Sequence, residues 1–305
     1  MPIIALACPH CGAPVAPRLG GAVTCAYCMR ALVGVPEAAW AALLDAKDDE
    51  SVPDGRLTCR VADVFYAVRG LLRRGARADV LLAERVRRPT EQVVLKVFRS
   101  ELAAGLHAAR LEHATLAKLA ESEARGAALF ATLVPQPIAF GPFVSRDLPA
   151  RGALVYRWRS GFQHTLSDVR EAHPDGIDGR AAVWMWRRVL ALLAWTHASG
   201  FAHGAVLPEH VLVHPRDHGA VLVGWSKAAP SDAASRARDL VMSAQAILHV
   251  VDPPRLPEEL GRLLLRVTKE AADEGASALA ASALHAATLA YGPPTFHPFT
   301  MPGWR

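Results

Sequence analysis

Four cysteines fall within the first 28 residues as two C-x-x-C pairs, Cys8 with Cys11 and Cys25 with Cys28, thirteen residues apart. Each pair sits on a tight turn, so both sulfurs converge on one ion. Two such knuckles complete a tetrahedral site of four thiolates, the preference of structural zinc. Gly12 and Gly20-Gly21 allow the turns. So short a segment has little core, and metal binding would supply much of its folding energy. The competing reading is two redox pairs or inert thiols; without a secretion signal, the spacing argues for metal. No open coordination position is implied, so zinc chemistry is not expected, and His10 reads as a bystander. Cys59 stands alone and reads as a small buried hydrophobe. His203, His210, His214 and His218 form a second spaced set, but strand and turn geometry would scatter them, so a metal site there is not expected.

The elements that must position these groups follow from patterning. Pro36 to Asp48 reads as a helix, with Pro near its start and Trp40, Leu43 and Leu44 on one face. Residues 47–55 are polar with Pro and Gly, a linker. The chain therefore divides into a metal-binding segment over 1–35, a helix and linker over 36–55, and a larger domain over 56–305. Val64 to Phe98 reads as three strands with turns at Arg73–Gly75 and Arg87–Thr90. Glu101 to Ala124 is helical. Two strands follow, Pro135 to Phe143 and Gly152 to Trp158. Helices are predicted over Thr165–His173, Arg180–Ser199, Asp239–Val250, Glu258–Ala271 and Ser277–Leu289. The tail carries Tyr291, Phe296, Phe299 and Met301 among prolines. These side chains are costly to leave in water, so they either pack back on the domain or dock a partner.

Composition narrows the function. The chain has 305 residues, 51% hydrophobic and 21% charged, enough for a large core. No apolar run reaches the roughly 20 residues needed to span a membrane. No basic stretch leads into a long apolar run at the N-terminus, so no signal peptide and a cytoplasmic location are expected. The net charge of +5 is modest. Arg18 and Arg30 are the only Lys or Arg in residues 1–35, thin for binding phosphates, so nucleic acid is not the expected partner.

The first segment is similar to a zinc ribbon. The larger domain resembles the protein kinases, through scattered motifs in the right order across about residues 60–290. Val93-Val94-Leu95-Lys96 resembles the strand motif V-A-I-K. Glu112, sixteen residues on, matches the helix Glu that pairs with that Lys; Glu101, Glu121 and Glu123 are rivals. His203-Gly204-Ala205-Val206-Leu207-Pro208-Glu209-His210 stands where the family has H-R-D-L-x-x-x-N, and Gly224-Trp225 where it has D-F-G. Asp239 matches the helix Asp that braces the catalytic loop. The combination with a zinc ribbon is similar to bacterial kinase-like proteins.

The resemblance implies an α+β, bilobal kinase-like fold, with a small β-rich lobe over about 56–155 and a helical lobe over about 156–305. Tyr156-Arg157-Trp158 takes the place of the hinge. It also implies that the chemistry is missing. Ala205 replaces the Asp that takes the acceptor proton; His210 and Gly224 replace the Asn and Asp that hold Mg²⁺. Leu207 replaces a polar residue. Glu209 is the nearest carboxylate, but matches a residue that points away from the reaction. Of the three loop glycines only Gly75 remains, with Arg73 and Ala78 at the other positions. Lys96, Glu112 and Gly75 are thus the candidates for a nucleotide site that holds ATP weakly or not at all, and Mg²⁺ is not expected. Trp225 fills the space of the family's Phe and joins Leu116 and His203 in a hydrophobic spine. Only about a dozen residues separate Trp225 from Asp239, too few for a peptide platform. The implied function is a pseudokinase scaffold or allosteric regulator with protein partners. A nucleotide-binding enzyme of altered chemistry, such as a nucleotidyl transferase, and a ribbon-led nucleic-acid binder are the alternatives.

Overall fold

A computed structural model of the chain describes residues 22–24, 31–33, 58–86, 91–146, 148–270 and 274–301. Cys8, Cys11, Cys25 and Cys28, and the helix and linker expected over 36–55, lie outside the described residues. Near the N-terminus two short strands, β1 (Ala22–Thr24) and β2 (Ala31–Val33), pair antiparallel, with Thr24 opposite Ala31. The rest of the chain forms two compact units. One comprises the residues through His113 with Gln136–Ser160; the other comprises Ala114–Pro135 with everything from Gly161 onward.

The first unit is a closed antiparallel barrel. Its strands are β3 (Thr58–Val61), β4 (Val64–Arg74), β5 (Ala78–Arg85), β6 (Gln92–Phe98), β7 (Pro137–Ser145) and β8 (Arg151–Arg157), in the order β3-β4-β5-β6-β8-β7. Closure comes from β3 pairing with β7, Cys59 opposite Ser145 and Arg60 opposite Val144. Alternation sorts the side chains. Cys59, Val61, Tyr66, Ala83, Val93, Leu95, Phe143, Ala153 and Val155 fill the barrel. Burial pushes the Cys59 thiol up to about 12, as expected of an inert core cysteine. The expected turn at Arg73–Gly75 falls later. Arg73 and Arg74 remain in β4 opposite Val80 and Asp79, and Gly75–Arg77 makes the turn. A Cβ at Gly75 would lie 2.8 Å from the Ala78 carbonyl oxygen, which is why the turn closes on glycine there.

Helix α1 (Leu102–Ala120) lies against the opposite face of β8. The contact is backbone on backbone. A Cβ at Gly152 would sit 2.1 Å from the Gly105 carbonyl carbon, and a Cβ at Gly105 would sit 2.9 Å from the Gly152 nitrogen. Arg151 fixes the start of the helix by donating to the carbonyls of Arg99 (2.8 Å) and Ser100 (3.0 Å).

In the second unit α2 (Ala127–Phe130) precedes the short strand β9 (His164–Thr165) and α3 (Leu166–Ala172). Thr165 and Asp168 form a reciprocal capping box at the start of α3. Helix α4 (Gly179–Ala198) is the axis, capped by Asp178 and burying Val183, Trp186, Val189, Leu190 and Leu193 on the predicted face. Strands β11 (Val211–His214) and β12 (Gly219–Leu222) pair with each other, and β11 pairs with β9. Beyond them come α5 (Ala233–Leu248), α6 (Glu258–Glu270) and α7 (Ala276–Tyr291). The Trp186 indole donates to Ser243 on α5 at 3.0 Å. The sequence reading began the α5 helix at Asp239. It begins instead at Ala233, because Asp232 and Ser235 cap it, and Asp239 falls inside. The tail packs back on this unit, with Met301 buried. No helix among the described residues is long and apolar enough to cross a membrane.

The Gly105–Gly152 contact gives a direct prediction. Gly152→Ala should overpack it and cost about 1–3 kcal/mol in urea denaturation. Gly70→Ala, where nothing lies within 4 Å of the added methyl, should leave the midpoint almost unchanged.

Candidate functional site

Two constellations carry the residues singled out by sequence, one in each unit. In the first, Lys96 and Glu112 are brought together. Register and alternation explain how. Val93 and Leu95 point into the barrel, so Lys96 points out of it, on the face shared with its β8 partner Leu154. Glu112 lies seven residues, two helical turns, beyond Gly105, so it returns to the face of α1 that touches β8. The Lys96 Nζ donates to Glu112 Oε2 at 2.6 Å. Glu101, Glu121 and Glu123 are all exposed.

The other carboxylate oxygen of Glu112 is also engaged. Tyr156 donates its hydroxyl to Oε1 at 2.6 Å. Sequence reasoning placed Tyr156 near the end of a strand over Gly152–Trp158, at the position of the hinge. It is the penultimate residue of β8, opposite Val94, and its side chain shares the outward face with Lys96. That parity was available in the sequence once the pairing of the strands was known. Burial, then the adjacent Glu112 charge, hold the Tyr156 hydroxyl well above its usual range. Lys96 also lies over the Phe98 ring, 5.2 Å from its centroid. Gly75 is not part of this group. Its N–H donates to the Ala78 carbonyl at 3.0 Å, so that donor is spent on closing the turn.

The second constellation is built around Asp239, fully buried on α5. Its Oδ2 accepts from the His203 N–H at 2.7 Å and lies 3.0 Å from His197 Nε2; its Oδ1 accepts from the Gly204 N–H at 2.8 Å. The carboxylate thus holds the loop by its backbone. Gly204 has a φ of +73°, and a Cβ there would lie 2.7 Å from the Lys227 carbonyl oxygen. The His203 ring is fully buried. Its Nδ1 accepts from the Ala205 N–H at 3.2 Å, so Nε2 carries the proton and donates to the Val223 carbonyl at 3.0 Å. Trp225 meets that ring edge to face at 4.6 Å between centroids.

His210 is the unexpected part. Its Nδ1 lies 2.8 Å from the Ala205 carbonyl oxygen and donates to it. Its ring occupies the space beside Gly224. A Cβ at Gly224 would lie 2.7 Å from three atoms of that imidazole, and Gly224 has a φ of +83°. Ala205, His210 and Gly224 are therefore one packed group rather than three separate replacements. Glu209 is exposed. The remaining histidines scatter: His214 packs edge-on to Phe162, and His218 stacks on Trp184. No cluster of three or more His, Cys, Asp or Glu side chains able to hold a metal occurs among the described residues. The segment after Trp225 is short. It pairs as β13 (Ala229–Pro230) with β10 (Phe201–Ala202), and the Ser231 N–H donates to Gly200.

The buried carboxylate of the first unit is testable. Lys96→Met strands Glu112 and should cost about 3–5 kcal/mol, whereas Lys96→Met with Glu112→Leu should recover much of it. The Tyr156 hydroxyl keeps its proton in the folded state above the pH at which an unfolded tyrosine ionises, about pH 10. The unfolded chain then binds fewer protons, and stability falls as pH rises through that value. Tyr156→Phe should flatten this alkaline loss in pH-dependent urea melts.

The comparisons agree on architecture. No protein-family model matches the chain, and no characterised protein matches it in sequence. Solved protein-kinase domains match its fold. The BubR1 kinase domain aligns with a TM-score of 0.57 at 10% identity, covering 82% of this chain and 90% of that one. Vaccinia related kinase 3 aligns with a TM-score of 0.53 at 13% identity, covering 79% and 93%.

Proposed function

We propose that this kinase-like fold does not transfer phosphate and acts as a scaffold or allosteric regulator through contacts with other proteins. The observation that carries the reading is the His210 ring. Loss of an acidic residue is a small change when the space for it remains. Here the imidazole fills the place beside Gly224 and is hydrogen-bonded to Ala205. The residues do not fit a magnesium ion, which demands oxygen ligands in near-octahedral array. Both oxygens of Asp239 are spent on backbone N–H groups of the loop and on His197. No proton acceptor replaces the missing Asp at Ala205, whose side chain is buried.

A second reading rests on the Lys96–Glu112 pair, the arrangement that in the kinases positions nucleotide phosphates. It would make the chain a nucleotide-binding protein of altered chemistry. The Tyr156 hydroxyl and the spent Gly75 N–H weigh against it, because both use in cis the groups that would otherwise serve a ligand.

We infer also that Cys8, Cys11, Cys25 and Cys28 hold a structural zinc ion in a docking module. The pairing of Thr24 with Ala31 supports this, since Cys25 and Cys28 fall in the stretch joining two paired strands. One zinc per chain is expected by elemental analysis, and Cys25→Ser with Cys28→Ser should abolish it.

Calorimetry with ATP, with and without Mg²⁺, tests the main reading. No Mg²⁺-dependent heat and no phosphoryl transfer are expected. Mg²⁺-dependent binding that Lys96→Met removes in a still-folded chain would overturn it. Gly224→Asp alone should destabilise the protein by about 1–3 kcal/mol through overpacking, and adding His210→Asn should recover part of that loss.

A further inference from the structure

The C-terminal tail lies along a surface of the second unit and buries Met301 there. From Pro293 to Met301 it has no helix or strand, and its amides form no backbone–backbone hydrogen bonds with described residues. It is held by rings. The His218 imidazole lies between Trp184, 4.4 Å away and nearly parallel, and Phe296, 4.3 Å away. Phe299 meets Trp184 edge-on at 6.1 Å and lies 5.4 Å from the His173 ring. Thr300 offers its carbonyl to His173 Nε2 at 3.2 Å, and Arg180 reaches His297 at 3.5 Å. The receiving surface is therefore made by the end of α3, the first turns of α4 and the β11–β12 turn. All of it belongs to the second unit.

The fit is incomplete. Phe296 remains 65% exposed despite its stack. The Trp184 indole N–H is buried without a hydrogen-bond partner among the described residues, whereas the His218 ring is met by the backbone of His297 in the tail. An unpartnered buried donor is costly, so an occupant with an acceptor for that indole would bind better than the tail does. Gly292, with nothing within 4 Å of a side chain placed there, ends α7, and Pro293-Pro294 form a stiff tether.

We propose that this aromatic and histidine surface is a peptide-docking site, held closed by the tail, for an extended proline-flanked Phe-x-x-Phe segment of a partner protein. The tail shows the chemistry the surface accepts, Phe296 and Phe299 three residues apart in a stretch without helix or strand. An extended, proline-bearing peptide loses little conformational entropy on docking, the logic of polyproline recognition by aromatic-lined grooves. The inference stands apart from the reading above, because a catalytically active chain would carry the same surface.

The test uses the full chain and a fluorescein-labelled peptide of residues 292–301. Phe296→Ala with Phe299→Ala should open the site, and the peptide should then bind at least tenfold more tightly than to the wild type, read by anisotropy. Adding His218→Asn, which suits the left-handed turn at this position (φ +49°), should abolish that binding. Hydrogen exchange on the wild type should show tail amides exchanging far faster than those of α4. No peptide binding by a folded double variant, binding that ignores His218→Asn, or tail amides as protected as α4 would overturn the proposal. Concentration-dependent dimers of the wild type that exchange tails would replace the partner protein with a second copy and overturn it too.

Discussion

A carboxylate cut off from water must be met by donors on every side, and two such groups organise this protein. Glu112 is buried in the first unit and Asp239 in the second. Glu112 is met by an ammonium and a phenol, Asp239 by an imidazole and two backbone N–H groups. Removing any of these donors leaves a charge that the interior cannot solvate. Each carboxylate therefore ties together elements far apart in sequence: β6, β8 and α1 in one case, α4, α5 and the loop after β10 in the other. This explains why both carboxylates sit where several elements meet. They are structurally expensive to lose.

The small residues at 205 and 224 carry no such tie, and beside Gly224 they leave a space. His210 fills it, with one hydrogen bond to the loop it belongs to. The His203 ring and Trp225 then pack as an ordinary core. The loop is held by the hydrogen bonds of its backbone to Asp239.

Much of the architecture was legible in the sequence. The strands from Val64 to Phe98 and the α4 face follow from period, and the partnership of Lys96 with Glu112 from the resemblance to the kinases. What escaped was tertiary. The strand β3 is four residues long and is defined by pairing with β4 and β7, not by its own alternation. The start of α5 was misplaced because the Asp232–Ser235 box is a short polar signal that an apolar count passes over. Tyr156 was not tied to Glu112 because only the β6–β8 register shows which way its ring faces. The filling role of His210 had no signal at all, since it depends on a glycine fourteen residues away.

The Gly105–Gly152 contact limits how α1 can move. Helices often switch by rolling about their own axis. Rolling α1 by one residue, about 100°, would bring Ala104 or Leu106 to the point where β8 leaves room for no side chain. The helix is riveted at that point, not sprung. At that point helix and strand can shift only together, as one solid piece.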